Sequence, residues 1–192
     1  MSALDMPRPA GEPAWVDDVL RFWLTELTLE QCFEKNDAVD HQIEARFAGV
    51  HERLAADARS IDATKPRELL AAITVFDQFP RNLFRGTARA FATDPIARRL
   101  AHAAVDSGVD ATMAKRERIF LYLPFEHSEG VGDQVRSTAL FGALHDPELD
   151  KYALAHKVII DRFGRFPHRN VALGRVSTPE EIAFLKEPMS SF

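Results

Sequence analysis

Three proline-centred corners divide this chain at nearly even intervals, and they limit its fold more than any other feature. They are Phe79-Pro80-Arg81-Asn82, Leu123-Pro124-Phe125-Glu126-His127-Ser128-Glu129 and Phe166-Pro167-His168-Arg169-Asn170, with prolines 44 and 43 residues apart. That interval is close to the length of a helix-pair repeat in a stacked helical protein. Proline tends to end the helix behind it, so each corner is expected to stop a helix and expose the polar residues that follow. Three such corners on a regular stack would aim their Arg, Asn, His and Glu side chains at a common place.

The stretches between the corners have helical periodicity. Val39, Ile43, Phe47, Val50 and Leu54 mark one face, and Leu69, Leu70, Ile73 and Phe76 another. Val131, Val135, Leu140 and Leu144 predict the inward face of a helix over roughly 129–144; Leu154, Val158, Ile159 and Phe163 predict the next. Asp94-Pro95 and Asp146-Pro147 read as a cap followed by proline in the first turn, and Thr178-Pro179-Glu180-Glu181 as a capping box. Gly108 and Gly164 are expected at helix C-termini. With no alternating strand and no hairpin turn, the reading is all-α, stacked antiparallel helix pairs of tetratricopeptide-like type. Residues 1–14 are expected to form a flexible N-terminal lead-in and residues 15–192 a single all-helical domain.

A net charge of −5 argues against a nucleic-acid partner. No apolar run is long enough to cross a bilayer, and residues 1–14 do not resemble a secretory signal, so a cytoplasmic location is expected. The single cysteine, Cys32, rules out an internal disulfide and reads as a small buried apolar residue. No phosphate-binding loop, dinucleotide fingerprint or nucleophile elbow occurs, and no cofactor is expected.

Chemistry-bearing residues gather at the corners. The first holds Asp77, Gln78, Arg81, Asn82 and Arg85, whose guanidinium forks suit carboxylate or phosphate, although Asp77 and Arg81 four residues apart also suit a strut. At the second, Glu126 and His127 suit acid–base work, while Ser128 and Glu129 fit the start of the following helix. The third is the richest, with His156, Asp161, Arg162, Arg165, His168, Arg169 and Asn170, and with Arg175 close behind. His127 and His168 are the candidate proton carriers. Asp77, Gln78, Arg81, Asn82, Arg85, Glu126, Glu129, Arg162, Arg165, Arg169 and Asn170 are the candidate ligand-binding residues. His127, His156 and His168 with Glu126 or Asp77 are of the right type for a metal, but their spacing matches no metal motif and no metal is expected.

These segments also resemble a known family. Val19-Leu20-Arg21-Phe22-Trp23, the run from Asp77 to Thr87, Ala90 to Pro95, Leu121 to Glu129, Gly164 to Asn170, Leu173-Gly174-Arg175 and Ser177 to Glu181 stand in the order found in the domain-of-unknown-function family 924 of mostly bacterial proteins. The resemblance runs from Val19 to Leu185. It implies an all-helical, tetratricopeptide-like fold, no established activity and no catalytic residues to carry over. Phe125, where a smaller aliphatic residue is expected, is a conservative departure.

Three functions fit. The corners form a pocket for a small anionic metabolite, phosphorylated or carboxylated, with Arg81, Arg165 and Arg169 as clamps and hydrolysis or isomerisation as the chemistry. Alternatively, a helical-repeat surface grips the carboxylate of a partner peptide or protein. In the third, the charges staple the helix corners to one another. The first leads because six arginines face four acids at the corners, a local positive excess in an acidic chain.

Overall fold

Every regular element among the described residues is helical, with no strand. The computed structural model describes residues 8–59, 61, 62 and 64–191; the first seven residues of the expected lead-in lie outside the described residues. In chain order the elements are α1 (Ala14–Arg21), a π turn (Phe22–Glu26), α2 (Leu29–Phe33), α3 (Asp37–Ala56), α4 (Pro66–Ile73), a second π turn (Thr74–Gln78) and α5 (Phe79–Leu83). After these come α6 (Asp94–Asp106), α7 (Lys115–Glu126), α8 (Val131–Gly142), α9 (Pro147–Phe163) and α10 (Pro179–Phe184), with short 3-10 turns between several of them. The chain divides into two compact units, Met1–Arg85 with Arg89–Pro124 and Gly86–Ala88 with Phe125–Phe192.

The first unit is built on aromatic packing. Phe22 and Trp23, the motif residues at the end of α1, are fully buried. Trp23 meets Phe79 and Phe120 edge-on, at ring-centroid distances of 5.5 and 5.7 Å, and Phe47 stacks on Phe79 at 5.0 Å. Such pairs add roughly 0.5–1.5 kcal/mol each beyond the area they bury. Glu12 is buried against Arg67, which it binds at 2.9 Å.

Proline does not stop the helices here as expected. Pro80 has no N–H, so the Phe76 carbonyl four residues back loses its helical donor. The chain widens into a π turn instead: the Phe79 N–H donates to Thr74 O, and α5 continues with Pro80 in its first turn. The Thr93 hydroxyl then donates to the orphaned Phe76 carbonyl at 2.7 Å. Thr93, not Asp94, is the N-cap residue of α6, and it makes no side-chain cap because its hydroxyl is committed to Phe76. Pro124 likewise lies inside α7, which runs on to Glu126.

The second unit centres on α8 and α9, packed side by side and joined by residues 143–146, so that they run antiparallel. Asp146 caps α9, Gly164 closes it at φ 69°, and the Thr178 capping box opens α10, as the sequence predicts. The apolar faces differ from expectation. Val131 and Val135 on α8, and Leu154 and Val158 on α9, are each more than half exposed. Inward on α8 lie Asp133, Gln134, Ser137 and Phe141; inward on α9 lie Ala153, His156, Ile159 and Ile160.

Replacing Thr93 by Val removes the hydroxyl that donates to Phe76 O while keeping its shape. The expected cost is about 1–3 kcal/mol, read as a melting temperature lowered by roughly 2–10 °C; an unchanged value would contradict this role for the hydroxyl.

Candidate functional site

The first corner lies in the first unit, where each of its charged groups has a partner. Arg81 forks onto Asp94 at 2.9 and 3.1 Å and also bonds the Asp77 carbonyl. The Gln78 amide bonds the fully buried Asp77 carboxylate. Asn82 and Arg85 both converge on Asp40 of α3, at 2.7 and 3.0 Å.

The other two corners lie in the second unit and meet each other. Glu129 is the joint. Its carboxylate accepts the Phe166 N–H at 2.8 Å and a forked pair from Arg175 at 2.8 and 3.0 Å. Burial pushes this carboxyl upward, but Arg175 and the Phe166 N–H outweigh it and hold it below its ordinary range. Glu129 therefore does not serve the start of α8. Ser128 instead accepts the Gly130 N–H and donates to Asp133. Arg175 continues to Asn170 Oδ1 at 2.9 Å, and the Asn170 amide donates to Ser177 and Glu181.

Glu181 then receives Arg165 in a forked pair at 2.7 and 2.9 Å. With the Thr178 N–H added, this pulls the Glu181 carboxyl from an ordinary 4.5 to about 2. Arg162 stands apart, bonded to Glu180 near the surface. The positive excess counted at the corners is thus offset by Asp40, Asp94, Glu180 and Glu181, four acids outside the count.

Behind this lattice lies a cluster with a different character. His156 is 4% exposed on α9; its Nδ1 lies 2.9 Å from Tyr152 O and 3.2 Å from Glu126 Oε1. Two acceptors at one ring nitrogen place the proton on Nδ1 and the lone pair on Nε2. Burial, with positive charge from His127, Arg169 and His168, pushes His156 down to about 3. The ring is neutral at ordinary pH and a weak base.

His127 lies 6.2 Å from it between ring centroids, and Phe166 5.6 Å; His168 lies 5.6 Å from Phe166, and the buried Arg169 guanidinium sits 4.5 Å over that ring. His127 and His168 are each half-buried.

Gln134 and Ser137 complete this region, and the sequence reading missed both. The Gln134 amide nitrogen lies 3.3, 2.7 and 2.7 Å from the carbonyls of Phe125, Glu126 and Ser128, terminating α7. A regular polar stripe at 133, 134 and 137 was available in the sequence, but the valines on the opposite face were read as the inward one. Among the described residues, no three His, Cys, Asp or Glu side chains are grouped so as to hold a metal ion. No helix among them is long and apolar enough to cross a membrane. A separate apolar groove of about 410 Å³ runs along α9, lined by Leu154, Val158, Phe184 and Met189.

Two pH signatures follow. Unfolded His156 takes up a proton near pH 6.5 and the folded form does not until about 3, so stability present above pH 6.5 is lost as pH falls through that window. The expected slope is roughly 1.4 kcal/mol per pH unit, and it should be absent between pH 6.5 and 4.5 in His156→Gln. Glu181, whose carboxyl is depressed, adds stability present above pH 4.5 and lost towards pH 2; Glu181→Gln should flatten acid unfolding over that lower range. Chemical denaturation across pH reads both.

A family model described as "Bacterial protein of unknown function (DUF924)" matches residues 19–189. The solved structure of a protein of unknown function from Agrobacterium tumefaciens is 39% identical with a TM-score of 0.83, over 90% of this chain and 97% of that one. No curated protein matches the chain at a significant level.

Proposed function

We propose, for a chain that belongs to the bacterial family of unknown function DUF924, that the second unit binds a small anionic metabolite, carboxylated or phosphorylated, beside Arg169. His127 and His168 carry the proton in an acid–base hydrolysis or isomerisation. One observation carries this reading: two corners distant in sequence bring Glu126, His127, His156, His168 and Arg169 together around Phe166. A guanidinium presents a planar fork of donors that suits a carboxylate or phosphate. With His156 too weak a base at neutral pH, the proton-transfer role falls to His127 and His168. Arg169 is the clamp in this reading because it lies over Phe166 among the histidines; Arg81 and Arg165, which the sequence placed as fellow clamps, bind Asp94 and Glu181. A tetratricopeptide-like stack and a cytoplasmic location belong to the same proposal.

The partner-chain reading has support of its own in the exposed apolar floor of the α9 groove, since such surfaces mark interaction sites.

A thermal-shift screen against phosphorylated and carboxylated metabolites tests the anion site. At a concentration 100-fold above its Kd, a ligand adds about 2.7 kcal/mol, or roughly 5–10 °C. At least one compound should raise the melting temperature of the wild type and of Arg165→Ala by that order, each against its own baseline, and leave Arg169→Ala unmoved. Shifts that persist in Arg169→Ala, or no shift from any compound, would overturn the proposal.

A further inference from the structure

Helix α8 turns two polar side chains, Gln134 and Ser137, into the second unit, both fully buried. The three carbonyls around the Gln134 amide nitrogen settle which way its amide points: the reverse orientation would set the carbonyl oxygen against three others. Its Oε1 is therefore fixed on the far side of that nitrogen. Among the described residues neither Gln134 Oε1 nor Ser137 Oγ has a hydrogen-bond partner. Ser137 is three residues further along the same helical face. A serine inside a helix commonly bonds the carbonyl four residues back, as Thr138 does with Gln134 O at 3.2 Å, yet Ser137 does not.

A buried acceptor without a donor costs about 1–3 kcal/mol, and a ligand group that satisfied both atoms would remove that cost. Their position is next to the histidine–arginine cluster. Gln134 holds the Glu126 carbonyl at 2.7 Å, and the Glu126 side chain lies 3.2 Å from His156.

Resting on the anion-binding reading above, we infer that the ligand carries a hydroxyl or ammonium group beside its acid group. Gln134 Oε1 accepts that group's hydrogen, while the Ser137 hydroxyl, as donor or acceptor, takes its second bond. The ligand class is then a hydroxy- or amino-carboxylate, or a hydroxylated phosphate ester, rather than a simple alkyl acid. A deoxy analogue would leave the Gln134 acceptor buried and unsatisfied, which is the usual basis of strong discrimination by a polar site.

Matched pairs test this by calorimetric titration: lactate and alanine against propionate, and glycerol 3-phosphate against propyl phosphate. The hydroxylated or aminated member of at least one pair should bind about 10-fold tighter or more, and Ser137→Ala should reduce that ratio several-fold. Ser137 gives up no hydrogen bond of the protein in this change; should the variant still fail to fold, the wild-type ratio decides alone. Equal binding within both pairs would overturn the inference while leaving an anion site in place. A ratio that survives unchanged in Ser137→Ala would also overturn it. If neither member of either pair binds, the inference falls, and the metabolite screen decides separately whether the anion site itself survives.

Discussion

Glu129 carries a half-buried carboxylate that three hydrogen bonds hold in place, and the candidate site depends on it. One oxygen takes the Phe166 N–H, which fixes where the third corner begins, and both oxygens take the fork of Arg175. Arg175 in turn fixes Asn170, and Asn170 and Arg165 fix Glu181. The chain of contacts alternates sign at nearly every step, so each buried charge has an opposite neighbour and little desolvation is left uncompensated. Phe166, His168 and Arg169 lie within or beside the segment held this way. Their approach to His156 follows from the lattice, and the positive charge they bring helps keep its ring neutral.

Helices α8 and α9 give this arrangement its second unusual property. An amphipathic helix ordinarily turns its apolar stripe inward, yet Val131, Val135, Leu154 and Val158 face outward while Gln134, Ser137 and His156 face in. Part of the inward polarity is structural, because Gln134 terminates α7 and Asp133 receives Ser128. The Ser137 hydroxyl and the side-chain carbonyl of Gln134 have no such partner among the described residues. Polar groups that a helix buries without structural need are more costly than the apolar residues that would fit there, and that cost is what the proposed ligand would offset.

The sequence was legible wherever a local rule decides the outcome. The Thr178 box, the Asp146 cap and the left-handed Gly108 and Gly164 each follow from the chemistry of a few adjacent residues. Rules needing a distant partner failed. The π turn before Pro80 relies on the Thr93 hydroxyl for the carbonyl that proline leaves bare, and no local pattern foretells that donor. The charge count at the corners failed for the same reason, because Asp40 and Asp94 reach Arg85 and Arg81 across 45 and 13 residues. In α8 two stripes of equal regularity competed, and hydrophobicity chose the exposed one.

Within the site these facts sort the residues by depth. His156 is held by Tyr152 O and Glu126 and is neutral, so it offers a fixed, weakly basic nitrogen rather than a proton. The flanking His127 and His168 are less buried than His156, and in the proposed reaction they carry the proton that His156 cannot.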